Sequence, residues 1–191
     1  MRTRGVEPRD VVLAIVAFNT EEKVEGRTFL QKLAYFLNEK LSLGIEFEPH
    51  FYGPYSESLA MATNTLVALG FLDETEERFL PVSADVFEPR RYTYKHTQAG
   101  KKVLRELQRQ NSTWLNRVKK TMDEITAKEE CNYECLSLAA KMFHILKRQG
   151  KAMTESELSA AANDLGWKLR NEQIQKAAKF LKELRLIREV P

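Results

Sequence analysis

The cysteines and histidines are the residues whose types first suggest a metal or redox site. Cys131 and Cys135 lie four residues apart in a segment predicted to be a helix, where a disulfide is geometrically awkward. His144 is the nearest histidine in the sequence and would supply only a third ligand, whereas a structural zinc site needs about four. Two reduced thiols explain the pair better than a metal centre, and we expect no metal and no cofactor.

Linear motifs of catalysis are absent from the sequence. His50, His96 and His144 are far apart, and none belongs to an HExxH zinc motif. The chain has no GxSxG elbow and no glycine-rich phosphate loop. We therefore expect a protein without catalytic activity, although a site assembled from distant residues escapes a linear scan.

Charge is distributed very unevenly along the 191 residues, whose formal net charge is only +3. Residues 31–89 contain three basic and ten acidic side chains, whereas residues 90–120 contain ten basic side chains and one acidic one. Residues 141–191 add eleven basic and six acidic side chains. A basic second half indicates a polyanionic partner such as double-stranded DNA, because Lys and Arg neutralise phosphates.

Two groups of residues are candidates for contacting nucleic acid. The first, the basic strip, follows a predicted strand and one helix face and consists of Arg90, Arg91, Lys95, Lys101, Arg105 and Arg109. The second, the C-terminal set, surrounds the start of the last predicted helix and consists of Lys168, Arg170, Asn171, Gln173, Gln175, Lys176 and Lys179. Polar and basic side chains there are suited to phosphates and base edges. Alternatively, the basic strip pairs with the acidic N-terminal part of the same chain.

The N-terminal third predicts helices and one edge strand. Pro8 suits the first position of a helix over residues 8–20. Thr28 and Gln31 have the spacing of a capping box that opens a second helix. Side chains alternate over residues 45–52, as in a short edge strand.

A third helix and a hairpin are predicted next. Ser56 is a suitable N-cap, and Gly70 ends the helix. Extended segments are predicted to start at Phe71 and to span residues 79–82 and 91–97. Three helices followed by a long hairpin is the order of a winged-helix unit. The third helix contains no lysine or arginine, which favours a protein contact or core packing over base reading.

Residues 99–128 predict a long amphipathic helix whose apolar seam needs a partner, and a homodimer through this helix would supply one. Thr97 is its predicted N-cap, and a break at residues 111–113 is a further prediction. The chain after this helix is again predicted to be mainly helical. We predict a helix over 132–149, a second helix opened by a capping box at Thr154, a third capped by Asn171, and a strand over 186–190.

The expected fold is mainly α-helical with short β-hairpins. It consists of two tandem winged-helix or helix-turn-helix-like units joined by a long helix. The predicted domains are residues 1–98, the connecting helix 99–128, and residues 129–191. The longest apolar run, Val11 to Phe18, is too short to cross a membrane, and no signal peptide is recognised, so a cytoplasmic location is expected.

Three segments carry a family resemblance: EGRTFLQKLAYF at residues 25–36 and, further along, FEPHFYGPYSESL and TLVALGFLDE. They resemble the YwgA-like group of prokaryotic proteins. The LQKLAYF helix and YGPYS turn are also distantly similar to the Panacea domain of SocA-like antitoxins. The resemblance covers residues 11–75, and it implies a winged-helix-like fold and a regulatory or defence-associated role without catalytic residues. Residues 152–191 resemble a generic winged-helix regulator, from which Trp167 departs.

These observations lead to two hypotheses of function. The first is a DNA-binding, transcription-regulator-like protein that contacts DNA through its basic second half. The alternative is a protein-interaction adaptor or antitoxin-like module that uses its acidic N-terminal unit.

Overall fold

A computed structural model of the chain describes residues 6–78, 90–127 and 133–188. Within these ranges the protein is mainly helical. The helices are α1 (Pro8–Phe18), α2 (Arg27–Leu41), α3 (Glu57–Ala68), α4 (Gln98–Gln110), α5 (Ser112–Thr126), α6 (Tyr133–Gln149), α7 (Glu155–Asp164) and α8 (Asn171–Glu183). The predicted helix that begins at Pro8 is confirmed, and it ends two residues before the predicted position 20.

A small antiparallel sheet accompanies the first three helices. Its strands are β1 (Lys23–Glu25), β2 (Leu72–Arg78) and β3 (Arg90–His96), and β3 lies between the other two. The predicted strands that start near Phe71 and Arg91 are confirmed, whereas residues 79–82 lie outside the described ranges. The hairpin partners β2 and β3 pair from Leu72 opposite His96 to Arg78 opposite Arg90.

The start of α2 differs from the prediction. Gly26, and not Thr28, is the N-cap residue, and no side chain caps this helix. The reason is the unpredicted strand β1, which pairs with β3 and continues to Gly26, whose N–H donates to the Tyr92 carbonyl at 2.7 Å. The chain then turns directly from the sheet into the helix at a φ of 99°, which glycine adopts readily.

The predicted strand over residues 45–52 is wrong. Only one bridge is present there, between Glu48 and Tyr55, which exchange both backbone hydrogen bonds at 2.9 Å. The chain reverses between His50 and Gly53, where Gly53 has a φ of 103°. Residues 48–55 therefore form a tight loop, named here the YGPY loop, which ends immediately before α3.

The predicted long helix over residues 99–128 is two helices, α4 and α5, that meet at Asn111. The predicted N-cap Thr97 is confirmed, because its side chain accepts from the Gly100 N–H at 3.0 Å. The apolar side chains of α5, including Leu115 and Met122, are buried against α1 and α2 of the same chain. Its seam is therefore occupied within the chain, and a homodimer remains a prediction.

In the C-terminal part, α6 packs along α8, and α7 lies against both. The capping box at the start of α7 is confirmed, since Thr154 and Glu157 exchange side-chain to backbone hydrogen bonds. The predicted strand over residues 186–190 is wrong for its described part, 186–188. After α8 the chain folds back through Arg185, which has a φ of 57°, and Leu186 N–H donates to the Leu181 carbonyl.

One hydrophobic core connects the described helices. It contains Leu13 and Phe36 from the N-terminal part, and Phe180 from α8 packs edge-on against Phe36 at 5.5 Å between ring centroids. The core is thus continuous across residues 98 and 129, and the three-part domain division remains a prediction. None of the described helices is both long and apolar enough to span a bilayer.

Candidate functional site

The basic strip runs along β3 and α4, where most of its cations meet carboxylates of the same chain. The ion pairs are Arg90 with Glu76 at 3.8 Å, Arg91 with Glu25 at 3.6 Å, Lys101 with Glu22 at 3.3 Å and Arg109 with Glu106 at 2.7 Å. Exposed pairs of this kind are individually weak. Together they nevertheless reduce the positive potential that this face presents to a phosphate backbone.

The pairing register of the sheet adds further acidic neighbours to the strip. Asp73 lies opposite Lys95, and Glu77 lies opposite Arg91. Lys23 and Arg91 on either side of Glu25 lower the pKa of this carboxyl, mainly through the hydrogen bond from Lys23. The exposed sheet face therefore carries charges of both signs, as expected if the basic strip pairs with carboxylates of the same chain. Arg105 on α4 is exposed and forms no ion pair with a described carboxylate.

The C-terminal set surrounds the first two turns of α8. Lys168, Arg170 and Lys176 are exposed, and none forms an ion pair within the described part of the chain. Asn171 and Lys179 are also exposed on this side. Gln173 accepts from the Arg170 N–H at 3.1 Å, and the Gln175 side chain donates to Glu155 at 3.1 Å. Three cations of this set therefore have no carboxylate partner among the described residues, whereas most cations of the strip have one.

The turn between α7 and α8 is fixed by two buried side chains. Trp167 is 1% exposed, and its indole N–H donates to the His50 carbonyl of the YGPY loop at 2.7 Å. The Leu169 side chain is buried, and its carbonyl accepts from the Ser159 hydroxyl at 3.2 Å. Trp167, which departs from the regulator pattern, thus anchors the start of α8 to the N-terminal part.

A buried lysine in α2 is a feature that the sequence analysis missed. Lys32 is 1% exposed, and its ammonium donates to the Pro54 carbonyl at 2.7 Å. Burial, together with the nearby Lys141 charge, lowers the pKa of Lys32 to about 7. Its neighbour Gln31 makes two buried hydrogen bonds with the Ser56 backbone, at 3.0 and 2.9 Å. The LQKLAYF helix and the YGPYS turn are therefore one hydrogen-bonded unit.

A pocket of about 250 Å³ lies between α2 and the YGPY loop. The residues that line it are Arg27, Thr28, Gln31, Lys32, His50, Tyr52, Gly53 and Tyr55. A second cavity of about 100 Å³ shares Arg27, Gln31 and Tyr55 with it and extends towards α3 and Tyr94. The lining contains cations and aromatic rings and no Asp or Glu of the described chain.

The chain is similar to YwgA of Bacillus subtilis strain 168, an uncharacterised protein. The two are 33% identical over 88 residues, which are 46% of this chain and 49% of YwgA. The match thus spans about half the length of this curated relative, and no family model matches the chain. The similarity supports the resemblance to the YwgA-like group, and the Panacea resemblance remains a prediction.

One signal could have revealed the pocket from the sequence. Lys32 stands in the apolar segment Leu30 to Leu37, where a core stripe of period 3.6 leaves it on another face. Helix α6 covers that face, so that every residue from Leu30 to Asn38 is buried. A lysine in a helix that is buried on all sides marks a functional or structural site, but only the tertiary packing shows that burial.

The histidines have separate roles in the described structure. The His96 ring nitrogen Nε2 lies 2.9 Å from the Leu13 carbonyl, and burial lowers the pKa of this imidazole. His144 packs against the rings of Tyr35 and Trp167. Within the described ranges, no three His, Cys, Asp or Glu side chains are grouped as metal ligands, and Cys131 lies outside these ranges.

Proposed function

We propose that the protein is a DNA-binding, transcription-regulator-like protein and that α8 is its contact helix. The observation that carries this proposal is the exposure of Lys168, Arg170 and Lys176, without carboxylate partners in the described chain, around the start of α8. Amide groups at a helix N-terminus also favour a phosphate, because the helix dipole is positive there.

The topology supports the proposal. The order α1, β1, α2, α3, β2, β3, with β3 central in the sheet, is the order of a winged-helix unit. The order α6, α7, turn, α8 is that of a helix-turn-helix unit, in which the last helix enters the major groove. The turn held by Trp167 and Leu169 fixes the orientation of α8 while its polar face remains exposed.

Helix α3 is less suited to DNA than α8. Each helix has one glutamate in its first turn, Glu57 in α3 and Glu172 in α8, but α3 has no lysine or arginine to offset it, whereas α8 contains three lysines. Met61 in this helix and Leu69 at its C-cap are 62% and 56% exposed. In this proposal the N-terminal unit therefore supports α8 and does not read bases.

The decisive experiment is a salt titration of binding to a mixed-sequence duplex, followed by fluorescence anisotropy. The test variant is the triple substitution K168Q, R170Q and K176Q. Its matched control is K102Q, R117Q and K120Q, which removes the same charge from exposed residues elsewhere. Each lost phosphate contact reduces the slope of log K against log salt by about 0.9, so we expect the test slope to fall by about 2 to 3.

The control triple is expected to leave the slope within about one unit of the wild type. Equal losses in the two triples would mean that binding follows net charge alone and that α8 is not the contact helix. No binding by the wild type at low salt would contradict the function itself.

A second candidate, the adaptor or antitoxin-like module, is favoured by the apolar exposure of Met61 and Leu69 next to an acidic segment. The test is a pull-down from nuclease-treated lysate with the wild type and with the double variant M61S and L69S. One stoichiometric protein recovered by the wild type and lost in the variant would support an adaptor over a DNA-binding protein.

A further inference from the structure

We propose that the pocket between α2 and the YGPY loop binds a small organic anion, whose oxyanion head contacts Lys32 and Arg27. The head is a sulfonate, phosphate or carboxylate, and the remainder is a planar group that lies against His50 and Tyr55. Nothing in this inference depends on DNA binding by α8.

The charges around the pocket favour an anion. Lys32 and Arg27 line it from α2, and Lys141 approaches from α6, close enough to lower the pKa of Lys32. His50, Tyr52 and Tyr55 are the other titratable lining groups of the YGPY loop. Lys32 and Arg27 thus line the pocket without a lining carboxylate in the described chain, and a bound anion would offset the repulsion between Lys32 and Lys141.

The hydrogen bonding of Lys32 leaves donors for a ligand. A lysine ammonium has three N–H groups, and the Pro54 carbonyl is the acceptor that the described residues provide for one of them. Leaving charged donors unsatisfied at a buried position is costly. The oxygens of a sulfonate, phosphate or carboxylate would accept these remaining hydrogen bonds.

Neighbouring side chains hold the Arg27 guanidinium in an orientation suited to binding an anion. Its Nε donates to the Tyr94 hydroxyl at 3.1 Å, and its Nη2 reaches Glu74 at 3.3 Å. Its guanidinium carbon lies 3.6 Å from the centroid of the Tyr92 ring. These contacts hold the planar group at the pocket wall, where it lines both cavities. Glu74 compensates part of its charge, so Lys32 and Lys141 supply most of the uncompensated potential.

The size and the aromatic wall restrict the ligand. The cavity of about 250 Å³ is smaller than the pockets of roughly 300 to 1,000 Å³ that hold drug-sized molecules, so the ligand is of metabolite size. The rings of His50 and Tyr55 lie 5.0 Å apart at 31° and offer a face to a planar group. An aromatic or heterocyclic acid or phosphate ester meets both requirements.

Gly53 explains why the loop can approach the amines so closely. A Cβ atom at this position would lie 3.3 Å from Lys32 Nζ and 3.1 Å from Lys141 Cγ. The φ of 103° also disfavours any other residue. The glycine of the YGPY loop thus allows the close packing of loop, Lys32 and Lys141 beside the pocket.

The experiment uses benzenesulfonate as the probe and isothermal titration calorimetry of the full chain. Benzenesulfonate carries one charge throughout pH 6 to 9, so any pH dependence belongs to the protein. Benzenesulfonamide has the same ring and is neutral in most of this range. We expect saturable binding of the sulfonate at pH 6 and at least tenfold weaker binding of the sulfonamide.

Affinity for the sulfonate is expected to fall as pH rises through 7, because binding requires the protonated Lys32. The fall approaches tenfold for each pH unit above the pKa. The variant K32M should lose the binding, whereas K182Q, which removes one exposed charge from α8, should retain it.

A second measurement keeps the test valid if K32M does not fold. Lysine side-chain NMR of the wild type reports the charge of Lys32, and saturating benzenesulfonate should raise the pH at which its signals titrate. Unchanged Lys32 signals, or equal binding of sulfonate and sulfonamide, would overturn the proposal.

The triple variant K168Q, R170Q and K176Q separates this inference from the proposed function. Retained sulfonate binding in this variant supports an anion site at Lys32 whether or not DNA is bound. Loss of sulfonate binding there would place the anion at α8 and overturn the inference.

Discussion

The protein holds its cations in two opposite kinds of surroundings. In the basic strip of β3 and α4 the side chains are exposed, and most of them face a carboxylate of the same chain. Beside the YGPY loop, Lys32 is buried and Lys141 is partly buried, and no carboxylate of the described residues lines the adjoining pocket. The region with the higher basic count in the sequence is therefore the more neutralised one in the structure.

Solvent access and partners, more than local charge density, therefore decide how a cation behaves in this protein. An exposed lysine keeps its hydration and gains little from a partner. A buried ammonium loses hydration, and its pKa and its demand for acceptors both change. This contrast can be tested at Lys32, at two glycines and at one ion pair of the strip.

The pH dependence of stability should distinguish Lys32 from all exposed lysines. Its pKa is about 7 in the folded chain and near 10.5 when unfolded. Between these values the unfolded state binds more protons, so the free energy of unfolding rises with pH. The slope approaches about 1.4 kcal/mol per pH unit, or roughly 3 kcal/mol between pH 7 and 10. Urea unfolding of K32M should lack this rise.

The control for this measurement is K182M, in which an exposed lysine of α8 is removed. Its curve of unfolding free energy against pH should run parallel to that of the wild type. Parallel curves for K32M and the wild type would show that Lys32 does not titrate in this window. Lys141, whose pKa is also lowered by burial, adds a smaller rise of the same sign.

Substitutions at two glycines with positive φ can distinguish the cost of backbone strain from the cost of contact with the buried lysine side chains. At Gly53 a Cβ atom would meet Lys141 at 3.1 Å and Lys32 at 3.3 Å, whereas at Gly44 it would meet nothing within 4 Å. We expect G44A to lower the free energy of unfolding by about 1 kcal/mol from strain alone. G53A should cost about 2 to 3 kcal/mol, because displacement of buried side chains is added.

Urea unfolding at one pH measures both glycine variants. Equal losses would mean that the lysines move aside at no cost and that Gly53 serves only the backbone conformation. A larger loss in G53A that disappears in the K32M background would assign the extra cost to Lys32.

Local chemistry allowed several helix boundaries to be predicted from the sequence. Pro8, Thr97 and the Thr154 capping box act within a few residues of their own position, so the printed sequence contains all the necessary partners. The cap at Thr28 could not be predicted correctly, because strand β1 depends on a partner about 70 residues away. A pattern within a short stretch of sequence cannot reveal such long-range pairing.

The candidate sites show the same limit. Most members of the C-terminal set could be identified from one helix, because the exposure of Asn171, Gln175, Lys176 and Lys179 follows from the periodicity of α8. The buried lysine of the pocket could not, because the burial of Lys32 requires α6 to cover the polar side of α2. Likewise, Arg91 pairs with Glu25, which is 66 positions away, and no count of charges in a window reveals such a pair.

The smallest effect is expected in the basic strip itself. Arg91 and Glu25 are 3.6 Å apart with side chains 50% and 42% exposed, so a double-mutant cycle of R91Q and E25Q should give a coupling of about 0.2 to 1 kcal/mol. Screening in 1 M salt should remove most of it. A coupling above about 2 kcal/mol would mean that the strip is fixed by its own carboxylates and withheld from phosphates. A coupling near zero would mean that Glu25 does not fix Arg91, and the contrast with Lys32 would then rest on burial alone.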